Sequence, residues 1–170
     1  MAYVNVRLPE FYGPNVANPL MGAPFRAALA RKSVLWLGTQ LDVSVEYLYV
    51  DDGARAMLEL ALAEGVSGQT FHVPASAPTT PRAFWQLVQE LAGSPGKVRS
   101  MPRPVLRAAA LVSVPARELV DILHLWTHPI LLDGTRYTAR FGHVPATPYS
   151  QGIQQTLDWF RAHPDAVNAN

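Results

Sequence analysis

The chain has 170 residues (18.6 kDa), of which 49% are hydrophobic, and its 14 basic and 13 acidic side chains leave a net charge of +1. That length and apolar content suit one domain burying about 70% of its unfolded surface and argue against intrinsic disorder. A near-zero net charge offers no broad cationic field for nucleic acid or an anionic membrane, and the absence of cysteine excludes disulfides, thiolate catalysis and Cys-ligated zinc.

The first nine residues, Met1 to Pro9, contain no apolar h-region of a signal peptide. The longest apolar run, Ala108–Ala116, is bounded by Arg107 and Arg117 and interrupted by Ser113 and Pro115, far short of the roughly 18 residues of a bilayer span. A cytoplasmic protein without membrane contact is the expectation. Proline is frequent, 15 residues or about 9% against a usual level of about 5%, and it is spread along the chain as punctuation.

In chain order, Val4–Leu8 (VNVRL) reads as a strand leading into a loop, Pro9–Pro19. Asn18 and Pro19 then open a helix with Phe25, Ala28 and Leu29 on one face. Val34–Leu37 (VLWL), closed by Gly38, has the wholly apolar pattern of a buried strand, and Ser44–Val50 (SVEYLYV) is rich in β-formers. Asp51 and Asp52 read as an N-cap and a solvated neighbour or a partner for Arg55, ahead of a helix with Ala54, Met57, Leu58, Ala61 and Leu62 at helical spacing. Gln69–Val73 is a further strand. Thr80–Pro81 opens a helix striped by Phe84, Leu87, Val88 and Leu91 and ended by Gly93. The remainder reads as helices over Pro104–Val112, Pro115–Trp126 and Asp133–Gly142, with a last one opened by Thr147–Pro148. Strands alternating with helices predict an α/β fold with a partly parallel sheet.

Several chemistries are missing from these residues. The glycines at 65 and 68, and at 93 and 96, do not extend to G-x-G-x-x-G, and neither a P-loop nor a G-x-S-x-G elbow is present. His124 and His128 have metal-ligand spacing, but the glutamate of H-E-x-x-H is lacking, so structural histidines are expected and no metal site is assigned. His72 reads as structural, and the four tryptophans as core residues.

Taken in order, five segments resemble the extended short-chain dehydrogenases/reductases, the NAD(P)-dependent epimerase/dehydratase group. They are Arg7–Pro14 (RLPEFYGP), Glu46–Ala54 (EYLYVDDGA), Gly68–Val73 (GQTFHV), the helix of Thr79–Gly93, and the ending Asp133, Phe141-Gly142, Pro145, Thr147-Pro148. The resemblance covers residues 4 to 161 and implies the C-terminal part of a Rossmann-type fold. It would consist of the last sheet strands with interleaved substrate-domain segments over residues 1–75 and a mostly helical substrate-domain part over 76–170, one partial domain in all. No Tyr-x-x-x-Lys exists, since Ala28 and Gly93 precede Lys32 and Lys97 by four. The resemblance therefore implies NAD or NADP in a complete enzyme and none bound by this chain alone.

By the same resemblance Leu8 and Pro9 lie beside the nicotinamide, and Glu10, Phe11, Tyr12 and Val45 face a small-molecule substrate. Glu10 stands where nucleotide-sugar enzymes often carry asparagine, and Val45 where they often carry a diphosphate-binding arginine. An acid gained and a cation lost would repel a phosphorylated ligand, which directs the expectation to an uncharged carbonyl or alcohol. Glu10 either orients a substrate hydroxyl or is a solvated loop carboxylate. The expected partner is a missing N-terminal cofactor domain, or a second copy of the chain paired along an exposed sheet edge. A stand-alone binding module without redox activity is the alternative.

Overall fold

The computed structural model describes residues 2–16 and 18–164. Its frame is three pairs of parallel strands. Strand β1 (Asn5–Arg7) lies beside β5 (Thr70–His72), β2 (Glu10–Tyr12) beside β4 (Tyr47–Tyr49), and β3 (Val34–Trp36) beside β6 (Val98–Ser100). Parallel neighbours require long crossovers, so every pair joins segments distant in sequence. A single antiparallel bridge, Val45 to Thr79, adds two 2.8 Å backbone hydrogen bonds ahead of β4.

Helix α1 (Pro19–Leu29) begins where Asn18 Oδ1 accepts the Leu20 N–H at 2.9 Å, and α3 (Pro81–Leu91) where Thr80 Oγ1 accepts that of Ala83 at 3.1 Å. Each also has proline in its first turn, where a missing N–H costs nothing. Between them in sequence lies α2 (Val50–Leu62). After β6 come α4 (Arg103–Ala110), α5 (Val114–Ile122) and a 3₁₀ turn, Leu123–Trp126. Helix α6 (Thr135–Phe141) stops at Gly142, whose φ of +77° favours glycine, and α7 (Tyr149–Ala162) follows.

The main core is aromatic. Tyr12, Phe25, Trp36, Tyr47, Phe84 and Trp85 are each at most 2% exposed, and the Tyr47 and Phe84 rings lie 4.5 Å apart. Helix α7 closes this core with Ile153, Leu157 and Phe160. A second cluster joins α2, β5 and α6 through Ala56, Leu60, Phe71 and Tyr137, and a third joins α4 to α5 through Leu106, Leu119 and Leu123.

The structure corrects four expectations. Glu10–Tyr12, read as loop, is a strand, and β6 adds another that three mixed residues cannot announce. Helix α2 starts at Val50 with Tyr49 at the cap position and no side-chain cap, so neither aspartate caps it. Asp51 is exposed, whereas Asp52 is buried and accepts hydrogen bonds from the Thr147 N–H at 2.5 Å and hydroxyl at 2.9 Å. The α2 stripe of Met57, Leu58 and Leu62 faces outward. The buried side is Asp52, Gly53, Ala56 and Leu60, because the small residues bring the helix close to Leu48 and Leu8. Finally, Leu35 in the apolar VLWL run is exposed, as strand alternation requires of the residue between buried Val34 and Trp36.

Asp52 therefore pins α2 to the entrance of α7. The Asp52→Ala variant is expected to lose about 1.5–3 kcal/mol of stability in urea unfolding, the usual range for hydrogen bonds to a charged group. Asp52→Asn, which keeps one acceptor oxygen, should lose less.

Candidate functional site

The run Leu8-Pro9-Glu10, which carries the chain from β1 into β2, forms one wall of a cavity of about 280 Å³. Val45 and Glu46, on the approach to β4, form the second wall, and Leu125, Trp126 and Ile130, in and after the 3₁₀ turn, form the third. The β2–β4 register brings the first two together by pairing Glu10 with Tyr47.

Of the six residues singled out from sequence, Leu8, Pro9, Glu10 and Val45 thus share one cavity, and two do not. Strand alternation turns Phe11 to the opposite side from Glu10, where it is 41% exposed. Tyr12 returns to the side of Glu10 but lies further along the strand, in the aromatic core, with Phe84 at 5.0 Å and Tyr49 at 5.6 Å. At 1% exposure its ring is core filling, which corrects the expectation that it faces a ligand.

Glu46, Leu125, Trp126 and Ile130 were not singled out. Trp126, expected at the end of the Pro115–Trp126 helix and in the core, does contact Trp36 at 5.5 Å. The helix ends four residues earlier, however, and the 3₁₀ turn gives the indole a second role against Glu10. The acidic character of Glu46 within an otherwise apolar strand pattern was the available signal.

The cavity's electrostatics follow from burial. Removal from water pushes the Glu10 carboxyl above the ordinary glutamate value, with the Trp126 indole N–H acting in the opposite direction. Burial also raises Glu46, again against a counter-effect, here the backbone N–H groups of Leu132 and Ala75. The Leu132 bond is 2.9 Å long and ties the 130–133 segment down beside the cavity. Tyr47 is raised well above its usual value, first by burial and then by the nearby Glu10. No lysine, arginine or histidine lines the cavity among the described residues. In its protonated form such a carboxyl donates a hydrogen bond to a carbonyl or hydroxyl oxygen, and the cavity lining has no cation to neutralise a phosphate.

Elsewhere, His124 Nδ1 lies 3.0 Å from the Asp121 carbonyl and His128 Nδ1 3.1 Å from the Thr127 hydroxyl. No group of three or more His, Cys, Asp or Glu side chains is placed to hold a metal among the described residues.

The raised Glu10 value has a defined consequence for stability. A carboxyl that holds its proton more tightly when folded favours the folded state below its unfolded value, about 4.3, and that favour is lost progressively as pH rises from there through the raised folded value. Glu10→Gln is therefore expected to be more stable than the unaltered chain at neutral pH. The advantage should vanish below the ordinary glutamate range, as checked by urea unfolding across pH.

Residues 1–73 match the model of the NAD dependent epimerase/dehydratase family. The chain is 24% identical to 3beta-hydroxysteroid-dehydrogenase/decarboxylase isoform 2 of Arabidopsis thaliana, with 91% of this chain and 31% of that protein covered. Among solved structures it is similar to an epimerase of Methanothermobacter thermautotrophicus, at TM-score 0.77 and 15% identity over 99% of this chain and 46% of that one. It is also similar to the UDP-glucose 4-epimerase of Thermotoga maritima, solved with UDP-glucose, at TM-score 0.69 and 22% identity over 95% of this chain and 47% of that one. The chain thus spans less than half the length of these relatives. With its parallel strands and intervening helices, the chain shares the Rossmann-type α/β fold of these solved structures, and its first 73 residues are similar to the NAD dependent epimerase/dehydratase family.

Proposed function

We propose that this chain forms the substrate-facing wall of a nicotinamide-dependent oxidoreductase that acts on an uncharged, largely apolar alcohol or carbonyl compound. The observation that carries this reading is the meeting of Glu10 and Val45 in one cavity lined by aliphatic side chains and an indole, without a cation. The UDP-glucose 4-epimerase named above was solved with a ligand whose diphosphate needs positive charge, which this cavity lacks. The Arabidopsis relative is by name a hydroxysteroid dehydrogenase, whose substrate class is an apolar alcohol.

Each wall then has a task. Val45, Leu125, Trp126 and Ile130 exclude water and hold the apolar body of the substrate. Glu10, kept toward its neutral form by burial, donates a hydrogen bond to the substrate oxygen and so orients the carbon that bears it. Leu8 and Pro9 offer two apolar side chains beside Glu10, which fits the flat ring end of a nicotinamide nucleotide. They do not fit its pyrophosphate, for which no glycine-rich turn exists in these residues. When bound, that nucleotide supplies the hydride acceptor or donor. In this reading its phosphate cradle and the Tyr-x-x-x-Lys proton-transfer pair come from residues other than these 170.

Tryptophan fluorescence tests the proposal, because Trp126 walls the cavity. The chain is titrated with a 3β-hydroxysteroid such as pregnenolone and, separately, with UDP-glucose. Saturable quenching by the steroid alone is expected. Val45→Arg should weaken the steroid at least about tenfold and improve UDP-glucose, since it adds a buried cation suited to a phosphate. Saturable UDP-glucose binding by the unaltered chain, without steroid binding, would overturn the reading.

A further inference from the structure

The net charge of +1 conceals a segregation. Residues 97 to 122, through the end of α5, contain Lys97, Arg99, Arg103, Arg107 and Arg117 against the exposed acids Glu118 and Asp121, while the rest of the chain holds nine basic and eleven acidic side chains. All five cations are exposed. They flank the hairpin of α4 and α5, at whose tip Leu111, Val112 and Val114 are 80%, 90% and 60% exposed.

The tip is a built feature. Ser113 Oγ accepts the Ala116 N–H at 3.4 Å and caps α5, and Arg117 Nε donates to the Ala110 carbonyl at 3.4 Å across the turn. Behind it, Leu106, Leu119 and Leu123 form the hairpin's own buried cluster, so the outer aliphatic residues are surplus to packing. Contiguous exposed apolar side chains rimmed by polar groups mark an interaction surface.

We infer that the α4–α5 hairpin docks the protein onto the surface of an anionic lipid bilayer. Leu111, Val112 and Val114 enter the headgroup–acyl boundary, and the arginines behind them meet lipid phosphates. The chemistry favours lipid over nucleic acid, because the 97–117 segment has no aromatic side chain on which a base could stack. It favours a surface mode over spanning, because α4 and α5 have 8 and 9 residues and no helix among the described residues is long and apolar enough to cross a membrane. An open, mostly apolar groove of about 700 Å³ between the hairpin and Leu20, Leu37 and Met101, with Glu118 in its lining, gives acyl chains room at its base. Trp126 packs on the hairpin cluster and also walls the candidate site, so the two are neighbours.

The test is flotation of the 170-residue chain with vesicles of phosphatidylcholine alone or with about a quarter of the lipid replaced by phosphatidylglycerol. Binding to the anionic vesicles only, weakened by salt, is expected. The Leu111→Ser/Val112→Ser/Val114→Ser variant should abolish it while circular dichroism and urea midpoint stay unchanged, since those side chains are exposed. Arg103→Gln/Arg107→Gln should weaken it by about fivefold for each charge removed. Three outcomes would overturn the inference: no anionic-vesicle binding, binding indifferent to the tip variant, or tip-dependent self-association or polynucleotide binding in place of vesicle binding.

Discussion

The parallel pairing of β2 with β4 is the constraint on which both core and cavity depend. Its register sets Glu10 against Tyr47 and Tyr12 against Tyr49, so one strand face delivers a carboxyl to the cavity and, two residues on, an aromatic ring to the core. A slip of one residue would send Phe11 inward and turn both Glu10 and Tyr12 out. Three-residue strands have too few ladder hydrogen bonds to enforce this alone. The register is held by what surrounds it: Tyr12, Tyr47, Tyr49, Phe84 and Tyr149 in mutual ring contact, and α7 laid close across them at Gly152. A Cβ on that glycine would meet the Tyr12 hydroxyl at 2.4 Å, so the approach of α7 requires glycine at this point.

Three acids lie within this framework, and their partners separate structure from chemistry. Asp52 is satisfied by Thr147, and Glu46 by backbone N–H groups that fasten the 130–133 segment. Both are staples. Burial raises Glu10 as it raises Glu46, but only the Trp126 indole acts against it, and Glu10 faces open cavity volume. A carboxyl kept at a cost in folding free energy, with donor capacity left over, has the features of a ligand-binding group. The same burial that destabilises its charge favours the protonated form, the one form in which a carboxyl can donate.

The sequence carried the long-period features and lost the short ones. The caps at Asn18 and Thr80, the stripe of Phe84 and Val88, and the left-handed stops at Gly93 and Gly142 all depend on local chemistry, and each lies where the residues indicate. Strands β2 and β6 depend on partners 37 and 64 residues away, and three residues offer no periodicity to detect. Helix α2 misled for a different reason. It has apolar residues on two faces, and the choice between them is made by Gly53 and Ala56, whose smallness permits close packing that no hydrophobic count rewards. In the candidate site, Leu8, Pro9, Glu10 and Val45 lie in segments whose motifs resemble a family's, whereas Trp126 and Ile130 come from a turn whose path is set by tertiary contacts.

Two apolar surfaces remain uncovered, and charge distinguishes them. The outer face of α2 presents Met57, Leu58 and Leu62 among Arg55, Glu59 and Glu64, a mixed rim that selects no partner class. The α4–α5 tip is more exposed and wholly aliphatic, and the charge behind it is predominantly cationic, with Glu118 and Asp121 on α5 as its acids. An apolar face with mixed charges gains the same from water exclusion against any apolar partner. One with an excess of positive charge discriminates, because its net field adds to burial at an anionic surface and opposes it at a cationic one. Whole-chain neutrality is therefore a poor guide to partners here: the charge that governs docking is that within a Debye length, about 8–10 Å, of the apolar tip.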